Sequence, residues 1–467
     1  MTDAGTGAVA IPPNTRAILD LTMRIAEVIF SAGAGAEDAT AAMQAITRAY
    51  GLKNTDADIT HTLLTLTYEN VQTHESVTRS RNVKYRNLDY AKLAATSALI
   101  SEIIEQKLDV ASARKRIATI VSAKPQVPWL WRRVGWSLLG AGAAFLIGGD
   151  LLVAAAAFVA TFIIDFLTSK LASRRVPVFY QSVVGGAIGP IVAAVVKLFD
   201  PSESASIVVV ATIIMLLAGV TTFGAVHDTL SGFYVTGTAR LMEALLITAG
   251  LVTGVAGASL LLSRLGLQLT IQADATTSFA TLPTQLAASV VIVFGFGLAA
   301  QVPWRAFWAI CALGALAELI YALGLGSGFG RVWSSAGAAI VVGLLAAIAA
   351  RAVRTPPLAI VVSALVPLVP GLSLFQGLLQ LADGSLTGLL SMLTAAAVAG
   401  ALAAGAILGQ YLVQAVWGPA RRLQRRFIGP LMAMPVQFGR RRDRDRGGRD
   451  RSGRASKGSG GRAGKRV

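Results

Sequence analysis

LLAGVTTFGAVHDTLSG at residues 216–232 and LVPGLSLFQGLLQLADG at residues 368–384 are two copies of one motif, 152 residues apart. Leu216 matches Leu368, Gly219 matches Gly371, Phe223 matches Phe375 and Gly232 matches Gly384, while Thr221 stands opposite Ser373. Each copy lies at the end of an apolar run long enough to cross a bilayer. Gly219 and Gly371 allow the two helices to unwind, and Pro367 and Pro370 remove two backbone donors from the second. Broken backbone at membrane depth is tolerated only where it lines a protein-walled or wet cavity, and carriers place their sites at such breaks. The repeated interruption therefore points to transport.

Outward from these copies the chain reads as membrane protein. It is 54% hydrophobic and 14% charged, where a soluble chain carries about 25% charged residues. Ten spans are predicted, roughly at 134–149, 151–168, 178–198, 205–224, 240–262, 284–301, 304–323, 332–350, 357–377 and 386–416. All seven tryptophans fall at or near span ends, the first three being Trp129, Trp131 and Trp136. Residues 1–30 carry Asp20, Arg24 and Glu27 on a helical pattern, so no cleaved secretion signal is expected. With the amino terminus inside, the inner connections hold Arg132, Arg133, Lys170, Arg174, Arg175, Arg240, Arg305, Arg351 and Arg354. The outer ones hold Lys197, Arg264 and Arg331 beside Asp150, Asp200, Glu203, Asp274 and Asp383. That asymmetry follows the positive-inside rule and places both termini in the cytoplasm of a plasma-membrane protein.

The repeat extends beyond the opening motif. QSVVGGAI (181–188) matches WSSAGAAI (333–340) at the same offset, with four of eight positions identical. Each half then has five spans, and an odd number makes the second half enter from the opposite side. The fold class expected is a polytopic all-α membrane protein of two inverted five-helix repeats, with a small cytosolic α+β domain at the amino terminus.

That domain is placed at 15–125, after a disordered stretch 1–14. Thr15 to Ala32 sets Ile18, Leu21, Ile25, Val28 and Ile29 on one helical face. GAGAED opens a second helix, Glu37 to Tyr50. Strands are expected at 58–69 and 76–86 around the turn NVQTH, then helices at about 88–108 and 110–122. The first repeat is assigned to 126–264, an outer connection to 265–283, the second repeat to 284–416 and a disordered tail to 417–467. From Arg421 onward the tail holds sixteen Lys/Arg against three Asp, with Phe427 and Phe438 its only aromatics. It reads as a partner for anionic lipid headgroups rather than nucleic acid.

Candidate chemistry is sparse. Asp165 in the second span and Glu318 in the seventh are 153 residues apart, nearly repeat-equivalent. Carboxylates inside spans are costly and mark proton or cation paths, so these two are assigned to proton coupling. The alternative for Asp165 is a pair with Lys170 at the span end. Gly219, Thr221, Pro370, Gly371 and Ser373 are assigned to substrate binding. Asp228 and Arg240 are expected to pair across the turn after the first motif. With Glu243 one helical turn on, they are candidates for gating. His227 reads as a loop residue, and His61 and His74 form no ligand motif. The single cysteine, Cys311, lies in an apolar run. No GxSxG, Walker A, HExxH or GxGxxG signature is present, so neither an enzyme nor a cofactor or metal is expected.

The order of these motifs resembles the threonine/serine exporter family. The resemblance rests on GAGAED, on SRNVKYR, on MLLAGVTTFGAVHDTLSGFYVTGTARLMEA and on LVPGLSLFQGL, and covers about residues 15–415. It implies a ten-span carrier with a cytoplasmic amino-terminal domain, exporting threonine and serine by proton antiport. The chain departs from the family's pattern at Ala218, where the first motif usually has proline. A relative of this architecture is linked to dicarboxylate export, so export of small carboxylates such as succinate is a second reading. A membrane-anchored enzyme using the amino-terminal domain is a third.

Overall fold

The computed structural model describes residues 13–71, 74–83, 86–201, 204–267 and 282–416. Residues 1–12, Glu203, the connection around Asp274 and the basic tail lie outside the described residues.

The amino-terminal region begins with α1 (Pro13–Ser31) and α2 (Ala36–Ala49). In α1 the predicted apolar stripe is the buried one: Ile18, Leu21, Ile25, Val28 and Ile29 are all under 9% exposed. Burying each such side chain contributes about 1.5–3 kcal/mol. The stripe packs against α2, the sheet that follows and two further helices. That sheet is antiparallel, ordered β1 (Thr55–Thr60), β2 (Leu63–Glu69) and β3 (Ser76–Asn82). Leu64 and Leu66 point into the core while their neighbours face out, the period of two that defines a half-buried strand. Two strands were expected and three form. The run 58–69 is divided at His61, whose φ of 54° turns the chain, so its halves pair with each other. The last strand ends at Asn82 rather than at residue 86. Then come α3 (Tyr90–Ile104) and α4 (Val110–Ser122). Asp89 and Asp109 cap them by accepting from first-turn amides.

The apolar part holds α5 (Trp129–Leu146), α6 (Leu151–Ser173), α7 (Val178–Phe199), α8 (Ala205–Ile213), α9 (Gly219–Leu230) and α10 (Tyr234–Arg264). After the connection come α11 (Leu282–Ala299), α12 (Phe307–Gly326), α13 (Arg331–Val353), α14 (Pro357–Leu365), α15 (Gly371–Ala382) and α16 (Thr387–Val416). Among the described residues seven helices are long and apolar enough to cross a membrane, and nine if α8–α9 and α14–α15 each count as one bent span. The protein is thus mostly helical and multi-pass. The tenth expected span, at 134–149, is not among these. It corresponds to α5, which starts five residues earlier and carries Arg132 and Arg133 in its first turn.

The two sets of helices pack alike. α10 lies along α7, and α16 along α13. In both pairs a Gly-x-x-x-Gly step lets the backbones touch. Gly250 and Gly254 lie against the carbonyls of Phe179 and Val183, and Gly405 and Gly409 against those of Ala336 and Ile340. The sets also exchange partners, with α9 against α16, α15 against α10 and α5 against α11. The amino-terminal region joins the same compact unit as these helices.

Candidate functional site

Both motif copies are broken helices of the same construction. α8 ends in a single 3-10 turn, Ile214–Leu216, and α14 in another, Val366–Leu368. Leu217 and Val369 are then extended (ψ 128° and 132°). Ala218 and Pro370 follow with φ/ψ of −72°/29° and −81°/36°, and α9 and α15 start at Gly219 and Gly371. The bends are 51° and 46°. Alanine at 218 therefore follows the path of proline at 370. The breaks lie in the middle of the elements 205–230 and 357–382, not at their ends as the span assignment has it.

The breaks also touch. A Cβ on Gly219 would lie 2.6 Å from Val369 Cγ1, and one on Gly371 would lie 2.9 Å from Leu217 Cβ and 3.3 Å from the Gly219 amide nitrogen. Only glycine at both positions permits this approach. The amino-terminal ends of α9 and α15 are thereby brought side by side. The Gly371 amide donates to the Val369 carbonyl at 2.9 Å; the other first-turn amides have no carbonyl within their own helix to bond, and both helix dipoles present their positive ends here.

A cavity of about 550 Å³ opens on the breaks, within the range of small-molecule sites. Leu216 to Thr221 and Pro367, Val369, Gly371 and Leu372 form one wall. Trp136 of α5, Phe296 of α11 and Tyr90 of α3 form another, with ring centroids 6.1 and 6.5 Å apart through Phe296. Of the predicted substrate residues, Gly219, Thr221 and Gly371 line this space. Pro370 and Ser373 do not, because Leu372 takes the lining place in the first turn of α15.

Further along α9, about 12 Å from the break at 1.5 Å per residue, the cavity meets the amino-terminal region. Gly33, Gly35, Arg86 and Asn87 line it together with His227, Arg240 and Glu243. The expected Asp228–Arg240 pair is present at 2.5 Å, with both residues buried. Its environment was not expected. Asp228 Oδ1 accepts from the Ala36 amide at 3.0 Å, so a carboxylate on α9 caps α2 from 192 residues away. Ser231 donates to Glu37 at 2.6 Å. Thr236 Oγ1 donates to the Ile59 carbonyl and accepts from the His61 amide. His227 is corrected from loop residue to buried helix residue, 4% exposed, on the cavity wall. Sequence reasoning also passed over Arg86, the last residue of SRNVKYR. Its Nη2 donates to the His61 carbonyl at 2.7 Å. Burial first, then neighbouring Arg240, pushes this guanidinium down to about 10.

The two intramembrane acids lie away from the cavity wall and in unlike settings. Asp165 pairs with Arg133 of α5 at 3.2 Å rather than with Lys170, which lies over the Phe166 ring. Glu318 on α12 is 4% exposed, and its Oε2 has no hydrogen-bond partner among the described residues. No group of three His, Cys, Asp or Glu able to hold a metal occurs among the described residues.

Comparison with known proteins adds the family. The model of the family described as "putative threonine/serine exporter" matches residues 20–262, and that described as "threonine/serine exporter, ThrE" matches residues 285–412. The chain is similar to a probable threonine/serine exporter of Mycobacterium tuberculosis, with 34% identity over 411 residues covering 85% of this chain and 77% of the relative. It is similar also to a threonine/serine exporter of Corynebacterium glutamicum, with 29% identity over 427 residues covering 86% and 84%. No solved structure matches.

Proposed function

The chain belongs to the threonine/serine exporter family, and we propose that it moves threonine and serine out of the cell in exchange for protons. The observation that carries this reading is the contact between the two broken helices on the wall of one cavity. A zwitterion in a low-dielectric space needs both charges met. The first-turn amides of α9 and α15 suit a carboxylate, the carbonyls freed at the breaks suit an ammonium, and Thr221 suits a substrate hydroxyl. The like packing of the two helix sets supports a pair of five-span halves, α5 serving as the short tenth span, that exchange conformations about the breaks. The Asp228–Arg240 pair and Glu243 sit where the amino-terminal region meets the cavity, a position suited to gating. Glu318 is the proton carrier in this reading, while Asp165, the other acid first assigned to coupling, serves as the counter-ion of Arg133.

Efflux decides the substrate. Cells carrying the protein, preloaded with threonine, serine and succinate, are expected to release the two amino acids faster than cells without it. Two guanidiniums and two helix amino termini around one cavity also suit an anion, which is the ground for the carboxylate alternative. Release of succinate alone would select it.

The arginine distribution supports an orientation with both termini in the cytoplasm, and the basic composition of the tail suits anionic headgroups. In a chain lacking Cys311, a cysteine at Asp274 is expected to react with an impermeant reagent in intact cells, and one at Arg454 only after lysis. Labelling of the tail from outside would overturn the ten-span reading.

A further inference from the structure

Two guanidiniums and a carboxylate meet where the amino-terminal region closes on the cavity. Arg86 follows β3, while Arg240 and Glu243 lie near the start of α10, and all three line the cavity. Arg86 and Arg240 both lie over the Phe30 ring, their guanidinium carbons 4.4 and 5.5 Å from its centroid. Two cations held this close repel unless an anion lies between them. The anions at hand are largely committed. Asp228 is shared between Arg240 and the cap of α2, and Glu243 neighbours both guanidiniums. The two histidines nearby, His61 and His227, supply no negative charge. The Nε atoms of Arg86 and of Arg240 are buried without a hydrogen-bond partner among the described residues. A buried donor without an acceptor is costly, and a guanidinium fork matches a carboxylate in shape. Glu243, three residues after Arg240, is exposed on the cavity wall.

We propose that Arg86, Arg240 and Glu243 form a recognition site for the main chain of a free α-amino acid at the mouth of the cavity. The guanidiniums take the α-carboxylate and Glu243 takes the α-ammonium. This rests on the exporter reading and deepens it. The charges common to all free amino acids are read first, next to the amino-terminal region. The substrate then moves about 12 Å deeper to the breaks, where its charges are met again and its side-chain hydroxyl is read. The amino-terminal region then contributes a binding residue, Arg86, to the transport path, and peptides or acylated amino acids are refused at the mouth.

The test uses inside-out membrane vesicles containing the full chain and graded threonine, threonine amide and N-acetyl-threonine. Arg86→Gln and Glu243→Gln are each expected to raise the half-saturating threonine concentration about tenfold, the size of one charge-assisted hydrogen bond, with little change in maximal rate. The preference for threonine over the amide should shrink in Arg86→Gln alone, and the preference over the N-acetyl compound in Glu243→Gln alone. Arg86 also holds the His61 carbonyl, so Arg86→Gln can suffer in folding. Glu243 is exposed and holds no backbone carbonyl of the amino-terminal region, so its variant carries the test in that event. Unchanged half-saturation and unchanged preference in either folded variant would overturn the site. Unaltered protein that moves neither threonine nor serine would overturn the exporter reading and the site together, which separates the two failures.

Discussion

Gly371→Leu is expected to abolish threonine efflux, down to the background of cells lacking the protein, while the chain still enters the membrane. The reason is local. A Cβ at 371 already lies 2.9 Å from Leu217 Cβ and 3.3 Å from the Gly219 amide, and leucine adds three more carbons in that direction or into the cavity. Overpacking of this kind costs about 1–3 kcal/mol, enough to part the two breaks but small beside the apolar packing that surrounds the helices. Gly371→Ala should show the same defect in weaker form. Thr221 and Ser373 separate the geometry from the motif. They are equivalent in sequence, but only Thr221 lines the cavity. Thr221→Ala is expected to slow threonine and serine more than alanine, and Ser373→Ala to leave that preference alone. Efflux from preloaded cells, with membrane content measured by immunoblot and folding by gel filtration in detergent, checks all four. Normal efflux from a well-expressed Gly371→Leu variant would move the site away from the breaks.

What could be read from the chain was local or periodic. The offset of 152 residues put Gly219 and Gly371 in register, and the structure has them in contact. The stripe from Ile18 to Ile29 buried as its spacing required. The Asp228–Arg240 pair spans one turn between neighbouring helices, and it formed. The misses share a cause, since they depend on partners far away in the chain. Nothing near Asp228 signals that it caps α2 across 192 residues. Nothing near Arg86 signals a cavity built mainly from helices a hundred or more residues later. Asp165 had a lysine five residues away, yet Arg133 on the neighbouring helix claimed it. His61 broke a run that alternation alone would continue, because its backbone amide and carbonyl are held by Thr236 and Arg86. Ala218 follows the same backbone path as Pro370, so the break in the first copy forms without proline.

Glu318→Gln is expected to uncouple transport from the pH gradient while sparing exchange of threonine for threonine. Glu318 is buried on α12 with one carboxylate oxygen unpartnered among the described residues, and α12 packs on α14, the first half of the second broken span. An unpaired charge in such a place costs several kcal/mol, and binding a proton removes that cost. Movement of α14 against α12 would open the carboxyl to water, where the proton leaves. In the proposed mechanism the acid would link the state of the break to the protonation of one side chain without touching the substrate. Glutamine keeps the size and cannot release the proton. Efflux driven by an imposed pH gradient should then fall about tenfold, equivalent to about 1.4 kcal/mol in the activation barrier, while exchange at equal pH continues. Asp165→Asn provides the contrast. Asp165 already has Arg133 as its counter-ion, so removing its charge strands a cation between α5 and α6, and the expected loss is in folded yield rather than in coupling. Vesicles with a set internal pH distinguish the two, and full pH dependence in both Glu318→Gln and Asp165→Asn would sink the assignment of coupling to intramembrane acids.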